Sequence, residues 1–256
     1  MFHNAMVRAP AANFATGLTT VDLGAPVYLR ALEQHEAYCA ALERCGLRLV
    51  HLAPDERYPD STFVEDTAVI TERCTILTRP GAPSRRDEVT SISAELTHFC
   101  PALQSIREPG TVDGGDVCEA GNHFFIGVSQ RTNEAGAEQL VAILAQAGYT
   151  STLVDIRDVE GILHLKSGLA CLADNRLVVI EALAARAEFR GYDLIRVNAG
   201  EEYAANCLGI NDYILVAAGF PAFEQTLRAT GHQTLVLDMS EFQKMDGGLS
   251  CLSLRF

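Results

Sequence analysis

Five stretches of this chain set apolar residues on one face of a helix. The first runs from about Pro26 to Cys45, with Leu32, Cys39 and Leu42 together. The second starts at Ser84 and spaces Val89, Ile92, Leu96 and Phe99 three or four residues apart. The third starts near Thr132 and carries Leu140, Ile143 and Leu144. The fourth, Glu181 to Arg190, is short, and the fifth starts at Pro221 with Phe223 and Leu227. Four of them stop at a glycine followed by a strand-like run: Gly46 before Leu47, Gly148 before Tyr149, Gly191 before Tyr192 and Gly231 before His232. Glycine just past a helix supplies the left-handed conformation cheaply. The second stops at Cys100-Pro101 instead, because proline bars the preceding residue from helical geometry.

These stops recur every 40 to 55 residues or so, the period of a repeat architecture. Each interval has room for about three short strands, such as Leu47–Leu52, Ala68–Thr71 and Thr75–Thr78. The pattern predicts an α/β protein of five ββαβ units closed into a ring. A plain α/β sandwich is the competing arrangement. No Pro/Ser-rich linker, charge block or low-complexity tract divides the chain, so residues 1–256 read as a single domain.

Composition narrows the partners. The 256 residues are 48% hydrophobic and 21% charged, enough for a large core without disulfides or metals. A net charge of −13 argues against nucleic acid and against anionic membranes. It leaves room for an acidic pocket that takes a small cation. Met1 to Gly17 lacks the basic start and apolar run of a signal peptide. Tyr213 to Phe223, the longest uncharged, mostly apolar stretch, is far short of the ~20 residues that span a bilayer. The expectation is a cytoplasmic protein. None of the eight cysteines forms a C-x-x-C pair or meets a histidine at zinc-finger spacing. Most sit in apolar runs and read as reduced, buried thiols.

Four segments concentrate polar residues that a core would not want: Asp60 to Asp66, Thr111 to Asp116, His164 to Ser167, and Asp246 to Cys251. Each has an ordinary explanation. The first reads as a solvated acidic turn, although Phe63 and Val64 interrupt it as in a strand entering the core. Asp113-Gly-Gly-Asp116 reads as a hairpin turn. His164, among Ile162, Leu163 and Leu165, reads as a hydrogen-bonded core histidine, and Cys251 as an inert thiol. Together they fit one chemistry. A cysteine nucleophile needs a histidine to move protons. Carboxylates in the same pocket suit a planar guanidinium, whose N–H groups they bind in pairs. The electrophile is then the central guanidinium carbon. No G-x-S-x-G elbow, Walker A loop or G-x-G-x-x-G occurs.

These segments, in this order, resemble the dimethylarginine dimethylaminohydrolase family of the guanidine-modifying superfamily. The stretches Pro59-Asp60-Ser61 to Glu65-Asp66, Thr78 to Arg86, Arg131-Thr132-Asn133 and Ala204-Ala205-Asn206-Cys207 carry the likeness, which runs from Gly17 to Ser253. The resemblance implies a five-bladed α/β propeller and hydrolysis of Nω-methylated arginine to citrulline and a methylamine. It implies a covalent S-alkylthiouronium on Cys251, His164 as general acid and base, and Asp113 as an acid that binds the guanidinium or orients His164. It places Asp66 on the guanidinium, Asp60 on the substrate α-amino group and Glu65 beside the site. It places Arg85 and Arg131 on the substrate carboxylate, Leu18 in a lid hinged at Gly17, and Met245 against the substrate. No metal and no cofactor is implied, and a homodimer is the assembly to test.

Two features of the residues themselves bear on this. Ser84-Arg85-Arg86-Asp87 reads as a helix start capped by Ser84. Arginines there oppose the helix dipole, which points to a bound anion; pairing with Asp87 and Glu88 is the alternative. Arg131 likewise precedes a cap read at Thr132. A thiolate beside Asp66 and Asp113 is disfavoured by like charge, so the Cys251 thiol is expected to ionise only with a cation bound. Arginine deiminase is the nearest rival; its members carry an acid two residues after the catalytic histidine, where this chain has Lys166. A non-catalytic guanidine binder and a zinc site on Cys251 and His164 are the other readings, and no third or fourth ligand at usual spacing supports the zinc.

Overall fold

The computed structural model describes residues 1–100, 102–172 and 175–256. Its strands, in chain order, are β1 (Asn4–Arg8), β2 (Arg48–Leu52), β3 (Ala68–Ile70), β4 (Thr75–Leu77), β5 (Leu103–Ser105), β6 (Val117–Ala120), β7 (His123–Val128) and β8 (Thr150–Asp155), followed by β9 (Leu169–Leu172), β10 (Arg176–Val179), β11 (Asp193–Arg196), β12 (Leu208–Ile210), β13 (Tyr213–Ala217), β14 (Gln233–Leu237) and β15 (Ser253–Arg255). The helices are α1 (Tyr28–Arg44), α2 (Val89–Leu96), α3 (Glu134–Gln146), α4 (Leu165–Gly168), α5 (Glu181–Ala184), α6 (Pro221–Ala229) and α7 (Ser240–Gln243).

The strands form five three-stranded sheets. In each, an antiparallel pair is followed by a helical crossover to a parallel third strand. The pattern is β3–β4–β5, β6–β7–β8, β9–β10–β11 and β12–β13–β14. The fifth sheet is completed across the chain ends, with β15 antiparallel to β1 and β2 parallel to it. This is the ββαβ order the helix stops predict. One strand of each sheet, namely β3, β6, β9, β12 and β15, lines a shared cavity of about 610 Å³. Apolar side chains pack the crossover helices onto the sheets, as Leu140 and Leu144 of α3 do beside Phe124 and Ile126 of β7.

Gly46, Gly148, Gly191 and Gly231 all hold positive φ where the helices end. The proline stop at residue 101 lies outside the described residues. Several helix boundaries differ from the sequence reading. The stretch from Pro83 to Glu88 is a 3-10 turn without a side-chain cap, so Ser84 does not cap α2. Proline at the first position suits a tight turn, and Arg85 is drawn inward by buried carboxylates. The cap of α3 is Asn133, whose side chain accepts from Gly136 N at 2.8 Å. Thr132 instead accepts the Asp113 N–H. The fourth helix shrinks to α5 and a 3-10 turn at Ala187–Phe189. Phe99 lies past α2 and is exposed. Among the described residues no helix is long and apolar enough to cross a membrane, and all eight cysteines are free thiols.

Candidate active site

Six segments converge on one small cleft of about 20 Å³, lined by Leu18, Asp60, Phe63, Asp66, Arg85, Arg131, Leu163, His164, Met245, Asp246, Gly247 and Cys251. The acidic segment is not a solvated turn. Asp60, Glu65 and Asp66 are all buried, because Phe63 enters an aromatic cluster with Phe14 and Phe242 and takes the backbone in with it. Asp113-Gly-Gly-Asp116 is a buried 3-10 turn rather than a hairpin. Its glycines permit close approach. A Cβ on Gly114 would collide with the Glu65 carbonyl, and one on Gly115 would lie 2.6 Å from His164 Nδ1.

His164 sits just before α4, with its N–H to Ser167 Oγ at 3.4 Å. Its Nε2 meets Asp113 Oδ2 at 3.0 Å. Asp113 has no exposed surface and also accepts Gly81 N at 2.8 Å. Burial works against the imidazolium. The charge of Asp66, the bond to Asp113 and the charge of Asp116 overcome it, and the His164 pKa rises to about 9. Burial likewise opposes ionisation of Asp113, but the His164 bond wins and its pKa falls. His164 is therefore an imidazolium at neutral pH, held by a carboxylate.

Cys251 lies in a 3-10 turn, Ser250–Leu252, immediately before β15. Its Sγ accepts Gly248 N at 3.4 Å. Burial first, then the charges of Glu65 and Asp66, push the thiol up to about 12. Like charge does oppose the thiolate, but through Glu65 and Asp66 rather than Asp113, which His164 neutralises. Gly247 and Gly248 are needed for backbone packing. A Cβ on the first would strike Phe63, and one on the second would lie 2.5 Å from Asn206 Oδ1.

The cations take different places. Arg85 is not solvated. Its Nη1 pairs with Asp66 Oδ2 at 2.6 Å, its Nε and Nη2 hold Glu88, and Nη2 also donates to the carbonyls of Phe63 and Asp60. Asp66 Oδ1 takes the N–H of Gly115 at 2.9 Å. Arg131 is the freer arginine, with Nη1 3.9 Å from Asp113 Oδ2. Lys166 faces away from the cleft. Its Nζ bonds Glu65 Oε1 at 2.6 Å, and Arg255 Nη2 reaches the same oxygen at 3.0 Å. Ser250 donates to Glu65 Oε2 at 2.7 Å. Glu65 therefore lies behind Cys251, lining the large cavity with both oxygens occupied, and not in the cleft. Lys166 does not repel a guanidinium there, since it is turned away and paired; what matters is that position 166 offers the cleft no acid.

Sequence reasoning gave no role to three supports. Asp116 accepts Leu165 N at 2.9 Å and so seats α4 under the histidine. Asn206 ties Lys166 O and Ser250 together. Asp246 lines the cleft. Glu88, read from the sequence as the alternative partner of Arg85, does hold it. The second acid of D-G-G-D was a visible signal for Asp116; Asn206 and Asp246 are fixed by long-range packing. Ligand atoms of Asp66, Asp113 and His164 lie within 4.8 Å of one another. That set could hold a metal, but each member is already bonded within the protein, and Cys251 is not part of it.

The arginine deiminase family model matches residues 56–208. The dimethylarginine dimethylaminohydrolase of Pseudomonas aeruginosa is 44% identical over 257 residues, covering 100% of each chain. That of Streptomyces coelicolor is 34% identical, covering 98% of this chain and 96% of its own. A solved cysteine-to-serine variant of the Pseudomonas aeruginosa protein, complexed with citrulline, superposes with a TM-score of 0.97 at 43% identity and full coverage of both chains. The N-terminal domain of a cyanobacterial arginine dihydrolase has a TM-score of 0.88 at 17% identity, covering 100% of this chain and 97% of its own, a likeness of fold alone.

Proposed function

Because the chain belongs to the dimethylarginine dimethylaminohydrolase family, within the reach of the broader arginine deiminase model, we infer that it hydrolyses Nω-methylated arginines to citrulline. Asymmetric dimethylarginine would release dimethylamine, and monomethylarginine would release methylamine. The observation that carries this reading is one cleft shared by Cys251, His164 and Asp66, with Asp60 and Arg131 on its wall. One end suits a guanidinium and the other a free amino acid.

The roles follow from the groups. Asp66 takes the guanidinium N–H groups, Asp60 the α-ammonium and Arg131, with Arg85, the carboxylate. Met245 and Leu18 close apolar surface over the alkyl chain. Attack by the Cys251 thiolate on the guanidinium carbon forms a C–S bond. The His164 imidazolium gives its proton to the departing methylamine as the C–N bond breaks. A cationic thiouronium and a neutral imidazole remain. Water then loses a proton to His164 and attacks the same carbon. The C–S bond breaks, the sulfur leaves with its electron pair, and citrulline is released. The remaining proton returns to the sulfur or to solvent. Asp113 holds the ring through Nε2 and stabilises the imidazolium.

The five sheets are read as blades of an α/β propeller with pseudo-fivefold symmetry, and residues 1–256 as its single catalytic domain. The shared cavity lined by one strand from each sheet supports this. Eight free thiols suit a reducing cytoplasm, and sedimentation velocity tests for a homodimer. The decisive assay is citrulline formation from asymmetric dimethylarginine against arginine, repeated with Cys251→Ser. Turnover of the methylated substrate, lost in the variant, is expected. Preference for arginine makes the chain a deiminase, and full turnover by Cys251→Ser removes the nucleophile.

A further inference from the structure

The segment 17–20 roofs the cleft and is tied at two points by carboxylates. On one side Leu18 N donates to Asp60 Oδ1 at 3.0 Å, an acid already given a place in substrate recognition. On the other side Thr20 N donates to Asp246 Oδ2 at 2.5 Å and Thr20 Oγ1 to Asp246 Oδ1 at 3.1 Å. The neighbouring Thr19 Oγ1 donates to Lys244 O at 2.9 Å. Asp246 lines the cleft with Cys251 and holds φ at 57°. That left-handed conformation suits Asp, Asn or Gly and few other residues. The side chain therefore bridges the roof and the loop that carries the nucleophile. The free space left in the cleft is small, about 20 Å³.

We propose that Asp246 is a positioning residue whose carboxylate latches segment 17–20 over Cys251 and governs how often the cleft opens. It acts through Thr20 and takes no part in bond making. The proposal deepens the reading of this same site. It rests on Cys251 lying under the roof, not on which guanidine is hydrolysed.

The test uses the full chain and a small neutral alkylating reagent, iodoacetamide, at fixed pH. Modification of Cys251 is followed by mass spectrometry beside hydrogen exchange of the Thr20 amide. Asp246→Gly keeps the positive φ and removes the latch, so both rates should rise about tenfold, the loss expected for a hydrogen bond to a charged group. Asp246→Asn removes the charge, keeps an acceptor for Thr20 N and offers Thr20 Oγ1 a donor in place of an acceptor, so both rates should rise no more than about threefold. Thr20→Val cuts one bond from the roof side and leaves every charge in place. It should accelerate both by about threefold, as half of the latch is lost. Unchanged rates in Asp246→Gly overturn the proposal. So does equal acceleration in Asp246→Asn, which assigns the effect to charge on the thiol. Acceleration in Asp246→Gly with none in Thr20→Val assigns it to the 246–248 backbone and also overturns the latch. None of these readouts needs methylarginine turnover, so failure of the latch and failure of the functional reading are separate results.

Discussion

In the empty site the Cys251 sulfur carries its proton, and a bound guanidinium should remove it. Burial and the charges of Glu65 and Asp66 hold the thiol at about 12, against 9.0 for an ordinary cysteine. At ~1.4 kcal/mol per pH unit, the site disfavours the thiolate by ~4 kcal/mol. A guanidinium carbon ~4 Å from the sulfur attracts the thiolate by about 4 kcal/mol at an effective dielectric near 20. The two magnitudes nearly cancel, so the cation brings the thiol back towards its ordinary value. Because His164 is itself an imidazolium to about pH 9, the proton leaves to solvent rather than to the histidine. Thiolate ultraviolet absorbance, titrated against pH with and without an unreactive cationic guanidine, measures this. Subtracting the same titration of Cys251→Ser removes the other seven thiols. Without ligand, no Cys251 step should develop below pH ~10; with ligand, the midpoint should fall by about two to three pH units. A thiolate already half formed near pH 6 without ligand, or a midpoint indifferent to saturating guanidine, would refute the reasoning.

Asp113→Asn removes the acid that holds His164 Nε2; kcat should drop about 100-fold or more, as for other lost acid–base supports, and retained kcat would exclude the pairing from catalysis. Gly115→Ala drives a methyl to within 2.6 Å of His164 Nδ1, so kcat should fall at least tenfold with little change in melting temperature, measured by steady-state kinetics beside thermal denaturation. Glu65→Gln strips the shared charge partner from Lys166 and Arg255; both cations are partly buried, and the arginine keeps its bonds to Ser250 and Ser253, so the loss should cost ~1.5–3 kcal/mol in denaturant unfolding, and an unshifted midpoint would show the ion pairs to be idle. His164 has its pKa raised from 6.5 to about 9 on folding. Its contribution to stability is therefore complete below pH 6.5 and lost as pH rises through 9. A His164→Asn variant, compared across that window, should show a flatter stability profile.

The repeat was legible because it rests on local physics. Each helix stop at Gly46, Gly148, Gly191 and Gly231 is a positive-φ glycine whatever surrounds it. The polar segments were legible because no core tolerates Asp60 to Asp66 without a reason, and the structure buries that run. The start of the second helix was not, because Arg85 answers to Asp66, 19 residues upstream, and to Glu88, not to a helix dipole. The orientation of Lys166 was equally hidden. Position fixes that it follows His164 by two, but only packing decides that it faces Glu65 and Arg255 on the far side. Asp246 stood only at the start of a polar segment, and its bonds to Thr20 span 226 residues.

Cys251 stands two residues ahead of β15, and β15 is held by β1, at the opposite end of the chain. The seat of the nucleophile therefore depends on a pairing between two strands far apart in sequence. A change that frays β1 therefore loosens the sulfur as well, so the reactivity of residue 251 reports on the closure of the fifth sheet.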